Sequence, residues 1–403
     1  EYPPHVLGGL GVHVNQLTKE LAAFVDIDLV LPHQKIDYAE PPTPSCIRTR
    51  PLATVEASYD EPFSWLLFSQ QAFSLIENIY PKPAKPAVIH CHDWVTVLCG
   101  IKCRWALNVP LIFHVHLPNR TPFCSSVENL GLACADLVTV NSQAMCEQLH
   151  KRFPDKKIKV IPNGVDINIF KPNMSNSHDE GQYVLFVGRL VEQKGVDYLL
   201  RAFVHVRERF PAVKLKIVGN GPCNLAYVRL TDCLLIKDAV EFLGWTGSSS
   251  ELNKLYQGAS VVVVPSIYEP FGMTALEAMA CARPVVASKT GGLQEFIKHG
   301  VTGYLAEPKD YLDLAQWIIR LLDNKKLRQE LGDRAGQTVT EDNSAYRWTS
   351  VAQQFHLIYE ELARQDVNLN IPEQANDYVQ QIRSLSIGND QTILDNLFIR
   401  GRQ

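Results

Sequence analysis

The sequence predicts an α/β protein of two domains, each built on a mostly parallel sheet. Three observations carry that expectation. Short β-branched runs alternate with longer amphipathic segments, which is the pattern of β-α-β units. The rhythm runs through the first half, breaks, and restarts in the second half. The length of 403 residues accommodates two domains of about 100–200 residues, each able to bury a sizeable core.

In the first half, Val12 to Ala23 reads as a helix and Val25 to Leu31 as a strand. Pro32 to Pro51 is rich in proline, which lacks the donor that a strand or helix interior needs, and reads as a loop. Ser64 to Tyr80 and Thr96 to Leu107 are helical. Ala87 to Cys91, Leu111 to His116, Leu137 to Asn141 and Lys159 to Ile161 are strands. Pro162-Asn163-Gly164-Val165-Asp166 and the polar stretch Pro172 to Gly181 have the composition of a linker. Beyond it, Tyr183 to Val187, Lys214 to Val218, Val240 to Leu243, Val261 to Val264 and Pro284 to Ser288 are strands. Gly195 to Phe210, Ser249 to Gly258, Thr274 to Ala282 and Leu293 to His299 are helices. Tyr346 to Arg364 is a last amphipathic helix, and Gln365 onward is a polar extension with weak periodicity. The expected division is residues 1–165, 166–345 and 346–403 (the final helix with its extension).

Apolar residues make up 46% and charged residues 20% of the chain, which fits a soluble globular enzyme. A formal net charge of -4 gives no electrostatic reason to expect nucleic acid. No run reaches the roughly 18 apolar residues of a membrane span, and no signal peptide opens the chain. Peripheral membrane association is left open, and the sequence is silent on oligomeric state. The ten cysteines are scattered without Cys-x-x-Cys pairs and read as reduced thiols of a cytoplasmic protein. The chain opens without Met, at Glu1-Tyr2-Pro3-Pro4 in a loop-like segment. A central strand would normally precede such a loop, so upstream residues are expected to be missing.

The densest chemistry lies in Pro265-Ser266-Ile267-Tyr268-Glu269-Pro270-Phe271-Gly272-Met273-Thr274-Ala275-Leu276-Glu277. A buried strand ends, a short loop carries Glu269, and a helix opens near Gly272. Free N–H groups at a helix start bind anions, and glycine lets a phosphate approach. Glu277 sits about one turn further on, at a distance that suits a carboxylate gripping ribose hydroxyls. Spacing alone equally allows an acidic loop residue and a solvated helix glutamate. Gly188-Arg189-Leu190-Val191-Glu192-Gln193-Lys194-Gly195 supplies a guanidinium fork and a point charge after a strand, suited to a departing diphosphate. A surface pair near a turn is the alternative.

These segments resemble the retaining glycosyltransferases of the GT-B fold, specifically glycosyltransferase family 4 and its glycogen-synthase-like relatives. Glu269 and Glu277 match the Glu-x7-Glu signature, and Arg189 with Lys194 the donor-phosphate loop. Ile161 to Asp166 matches the hinge, and His90-Cys91-His92-Asp93-Trp94 a donor-sugar or acceptor segment. The opening with Gly8 and Gly9 matches the N-terminal glycine-rich loop. The resemblance spans roughly residues 1–360. It departs from the classical bacterial glycogen synthases at Val6, where those carry a lysine, which favours the broader family.

The resemblance implies two Rossmann-like domains facing a cleft, with the last helix crossing back to the first domain. It implies a hexose, with glucose as the leading choice, moved from a UDP- or ADP-sugar to a saccharide acceptor, with retention and without a metal or other cofactor. The leaving phosphate itself would help deprotonate the acceptor. His116, Glu269, Arg189 and Lys194 would serve catalysis. Gly8, Gly9, Arg189, Lys194, Gly272, Met273, Thr274 and Glu277 would bind the donor. His116 is preferred over His114, which shares its strand face but lies deeper. His90, His92 and Asp93 invite a metal, yet no third and fourth ligand stands out in sequence. Asp26-Ile27-Asp28 has the spacing of a metal-binding pair but opens a strand remote in sequence from Glu269. Gly219-Asn220-Gly221 is an incomplete dinucleotide fingerprint and reads as a turn. Gly291-Gly292 reads as a strand-to-helix turn of the same site or as a plain loop. A nucleotide-sugar epimerase or hydrolase of the same fold is the rival. An oxidoreductase lacks its glycine fingerprint, and the retained charged set weighs against an inactive binding module.

Overall fold

The computed structural model describes residues 9–32, 44–52, 62–118, 121–173, 183–367, 369–370 and 372–385. The expectations for Glu1-Tyr2-Pro3-Pro4, Val6 and Gly8 concern residues outside that set, as does most of the Pro172–Gly181 linker. The chain divides into two compact units: Glu1–Ile161 together with Ala352–Gln403, and Pro162–Val351.

The first unit opens with α1 (Gly9–Leu21), three residues earlier than the hydrophobic pattern suggests. Strands β1 (Ile27–Pro32) and β2 (Ile47–Leu52) pair in parallel as a separate two-stranded sheet. The expected loop from Pro32 to Pro51 therefore contains a strand. Among the described residues β2 pairs on one side only, with β1, so the donor that Pro51 lacks disrupts no second ladder there. Arg48 and Arg50 of β2 both reach Asp28 of β1, at 2.9 and 3.2 Å, and the Tyr80 hydroxyl donates to the same carboxylate at 2.7 Å. These contacts hold the Asp28 carboxyl down at about 2, the Arg48 hydrogen bonds first among them. Asp26-Ile27-Asp28 thus serves to fasten β1 to β2.

Helix α2 (Pro62–Ile79) leads into β3 (Ile89–His92), α3 (Trp94–Leu107), β4 (Leu111–Val115), α4 (Pro122–Cys134), β5 (Leu137–Val140), α5 (Gln143–His150) and β6 (Ile158–Val160). The four strands β3 to β6 lie side by side in sequence order, all parallel. Leu111, Phe113 and Val115 of β4 face the main apolar core with Val97, Leu130 and Val138. Their neighbours on the other face are Ile112 and His114, as the period of two requires.

The second unit contains β7 (Tyr183–Val187), α6 (Val196–Arg209), β8 (Lys214–Val218), α7 (Asn224–Cys233), β9 (Val240–Gly244), α8 (Ser249–Gly258), β10 (Val261–Val264), α9 (Met273–Ala280), β11 (Val285–Ser288), α10 (Leu293–Phe296), β12 (Gly303–Ala306), α11 (Tyr311–Asp323) and α12 (Lys325–Thr340). Its sheet runs β12-β11-β10-β7-β8-β9, entirely parallel. Helices cover both faces, and the two central strands, β7 and β10, are fully buried and free of charged residues. Val261 and Val263 of β10 join the core with α6 and α11, whereas Val262 and Val264 join the core with α8 and α9.

Helix α13 (Trp348–Ala363) starts in the second unit, and from Ala352 its residues pack with the first. The polar extension after Gln365 contains a further helix, α14 (Glu373–Ser384), which lies along α4 and places Ala375 and Ile382 in the core of the first unit. No helix among the described residues is long and apolar enough to cross a membrane.

Candidate functional site

The sheet of the second unit reverses its order between β7 and β10, with β8 and β9 on one side and β11 and β12 on the other. Open parallel sheets bind ligands beyond the carboxyl ends of their strands at such a reversal. The loop carrying Arg189 and Lys194 follows β7, and the loop carrying Glu269 follows β10. Both therefore emerge at this point.

The two loops are fastened to each other. After β7 the chain makes a short 3-10 turn over Glu192–Lys194 that ends at Gly195, whose φ is 65°. A Cβ at Gly195 would stand 2.0 Å from the Pro265 carbonyl oxygen, so only glycine allows this approach. The Ile267 N–H donates to the Gln193 carbonyl at 2.8 Å, and Gln193 Nε2 donates to the Tyr268 carbonyl at 3.0 Å. As a result Lys194 Nζ donates to Glu269 Oε2 at 2.6 Å. Ser266 Oγ donates to the same oxygen at 2.9 Å. Glu269 is buried, while Lys194 is about a quarter exposed at its side chain. The Gly291-Gly292 turn is part of this assembly: the Gly292 N–H donates to the Glu269 carbonyl at 3.1 Å. Gly219-Asn220-Gly221 braces the other loop, since the Leu190 N–H donates to the Asn220 carbonyl at 2.9 Å.

Arg189 is exposed, and its side chain makes no ion pair or hydrogen bond among the described residues. The guanidinium is available to an anion. Gly272 caps α9 with a left-handed backbone, and the first N–H groups of that helix, at Met273 and Thr274, have no acceptor within it. Their dipole also favours negative charge. One turn on, Glu277 is buried, and Oε2 accepts from the Tyr256 hydroxyl at 2.7 Å. Burial pushes the Glu277 carboxyl up to about 7, with the Tyr256 bond opposing the shift. Sequence spacing assigns both Glu277 oxygens to the ribose; the structure gives part of Oε2 to Tyr256. Tyr256 is fully buried on α8, and nothing local in its sequence marks it as a partner of Glu277.

In the first unit, Gly9 begins α1 rather than preceding it, and is exposed. His116 lies one residue past β4, and its N–H donates to Asp93 Oδ1 at 2.7 Å. His114, deeper on the same face, is bonded through Nδ1 to Thr139 Oγ1 at 2.9 Å. The face shared by β3 and β4 carries His90, His92, His114 and His116 together, because each pair is two residues apart on adjacent parallel strands. His13 of α1 covers them, its ring centroid 4.6 Å from His116 and 5.4 Å from His92. No sequence pattern marks His13, which stands alone on its helix. Burial lowers the basicity of His90, His92, His114 and His116, that of His90 to about 3.

Residues 7–169 match the family described as Glycosyltransferase Family 4, and residues 169–338 match Glycosyl transferases group 1. An uncharacterized glycosyltransferase of Methanocaldococcus jannaschii is 33% identical over 89% of this chain and 96% of its own length. The glycogen synthase of Mycobacterium tuberculosis is 29% identical over 87% of the chain and 91% of its length. Among solved structures, the sucrose-phosphate synthase of Thermosynechococcus elongatus is 27% identical, with a TM-score of 0.77 over 88% of this chain and 94% of that one.

Proposed function

Since the chain belongs to the GT-B glycosyltransferases of the family 4 type, we propose that it moves a hexose, glucose first, from a UDP- or ADP-sugar to a saccharide acceptor, with retention and without a metal ion. The observation that carries this reading is the Lys194–Glu269 pair at the β7/β10 reversal, flanked by the exposed Arg189 and the open start of α9. Similarity to a glycogen synthase and a sucrose-phosphate synthase supports a hexose.

The residues divide the work by charge. Arg189 and the N–H groups of Met273 and Thr274 receive the diphosphate, where charge grows as the glycosidic bond breaks. Lys194 adds a second cation, and Glu269 holds it in place through Oε2. Glu277 accepts from the ribose hydroxyls with Oε1 and the remaining capacity of Oε2. The family resemblance assigns His116 to the transferred sugar and Gly8 and Gly9 to the donor phosphates. With fixed cations meeting the leaving group, no metal is required. The leaving phosphate takes the acceptor proton, so no separate base is assigned.

Donor panels with and without saccharide acceptors test this directly. The expected result is acceptor-dependent consumption of UDP- or ADP-glucose, an anomer retained by NMR, and full rate in excess EDTA. Rapid donor loss without acceptor would instead favour a nucleotide-sugar hydrolase or epimerase. Loss of turnover in EDTA, restored by Mg²⁺ or Mn²⁺, would overturn the metal-free step.

A further inference from the structure

We propose that His13, His92 and His116 form a binding site for a divalent transition-metal ion of the zinc type. One ring nitrogen from each lies within 4.8 Å of the other two. His92 Nδ1 and His116 Nε2 are 3.1 Å apart. Two imidazole nitrogens at about 2.0–2.1 Å from a tetrahedral zinc ion stand roughly 3.3 Å from each other. The pair is thus already spaced for a shared ion, and rotation of the His13 ring about its soft terminal torsion brings in the third nitrogen.

The backbone fixes two of the three ligands. The His92 N–H donates to Thr96 Oγ1 at 2.9 Å, and Thr96 Oγ1 donates back to the His92 carbonyl at 2.9 Å. His116 is held by its N–H bond to Asp93. His90 and His114 stand directly behind, their ring centroids each 4.3 Å from those of His92 and His116 respectively. His90 Nδ1 is engaged by the Tyr359 hydroxyl at 2.7 Å and His114 Nδ1 by Thr139, which keeps both rings in place. His114 Nε2 is buried without a hydrogen-bond partner among the described residues, so this pocket carries more nitrogen donors than its own contacts consume.

The donor set selects the ion. Three imidazoles and no carboxylate suit zinc, copper, nickel or cobalt, and disfavour calcium and magnesium, which require oxygen. His92 is the least buried of the three, whereas His13 and His116 are buried. One consequence rests on the sugar-side role proposed for His116: an ion on that imidazole competes with the donor sugar, so zinc inhibits rather than activates.

Chelator-stripped full-length protein is titrated with Co²⁺ and Zn²⁺ without any nucleotide-sugar, following cobalt d–d absorption and heat. One equivalent of Co²⁺ with the intense visible band of a four- or five-coordinate site is expected. His92→Asn and His13→Asn should each weaken binding by at least ~100-fold, the upper range for losing even a supporting partner. His205→Asn, on the second unit, should leave it unchanged. His13 is fully buried, so the half-exposed His92 variant, checked for a native melting profile, carries the test if His13→Asn fails to fold. Absence of stoichiometric binding, or native affinity in folded His92→Asn, overturns the site. In turnover assays Zn²⁺ should raise the donor KM with kcat unchanged. Stoichiometric binding with an unchanged donor KM would uphold the site and overturn the sugar-side role of His116 alone.

Discussion

Glu277 combines a buried carboxyl near pH 7 with a tyrosine that uses part of one oxygen. Its folded pKa lies above the unfolded value, so the native state keeps a proton that the unfolded chain loses between about pH 4.5 and 7. Stability from this group is therefore highest at low pH and falls as pH rises through that window. Thermal melts at about pH 5 and about pH 8 should show native protein losing on the order of 1–3 kcal/mol relative to Glu277→Gln. Donor binding has the opposite slope, because the carboxylate accepts both hydroxyls and the acid does not. The donor KM should fall as pH rises through about 7. Removing the Tyr256 hydroxyl withdraws a bond that favours the charged form, so Tyr256→Phe should move that limb to higher pH. An unmoved KM profile in Tyr256→Phe would show that the hydroxyl does not tune Glu277. At the phosphate end, Arg189→Ala and Lys194→Ala should each lower kcat by about 10²–10³ with folding intact. Lys194→Ala also strips Glu269 of its cation, so its effect should overlap with that of Glu269→Gln. Near-native turnover in either alanine variant would remove these cations from the leaving-group role.

At the scale of elements, two glycines, Gly195 and Gly291, set the loop positions. Gly291 has φ 49°, and a Cβ there would come 1.8 Å from the Glu269 carbonyl oxygen. Gly291→Ala should cost at least ~2 kcal/mol from backbone strain alone. That is about 4–8 °C in Tm for a unit of this size, with donor turnover falling alongside. A native Tm and rate in this variant would mean the turn does not position Glu269. The apolar central strands β7 and β10 and the β-to-helix step at Gly272 were legible because a doubly covered sheet leaves a continuous signal. Helices α4 and α7 were not. Pro122 suits the first position of α4, but Phe123-Cys124-Ser125-Ser126 are weak helix formers, and eight of its thirteen positions are buried, which erases amphipathic contrast. β2 was hidden by Arg48, Arg50 and Pro51, residues that suit a one-sided pairing better than a core strand. In the site, Glu269, Glu277, Arg189 and Lys194 were singled out by the family resemblance, because local spacing alone left a solvated alternative open for each pair. Tyr256 and His13 were not, since each meets its partner only through the fold.

For the whole molecule, the consequential feature is that the first unit is closed by the end of the chain. Ile382 is fully buried in its core, and Phe355 lies 5.0 Å from His90 between ring centroids. Ile382→Ala should destabilise by about 2–5 kcal/mol. Calorimetry should place that loss in a single transition, with the one belonging to residues 162–351 unmoved; an unchanged scan would detach α14 from the core. During synthesis the same arrangement reverses the usual order. Domains generally mature from the amino terminus as the ribosome proceeds. Here the second unit has all its residues once Val351 emerges, while the first still awaits residues 352–385 to cover α4 and the histidine face. The earliest-made half is the last to finish, and its uncovered apolar surface is what a nascent-chain chaperone would meet. Ribosome-stalled chains in which Val351 has emerged while residues 352–385 remain inside the ribosome should show protease protection over residues 162–351 before the first unit is protected.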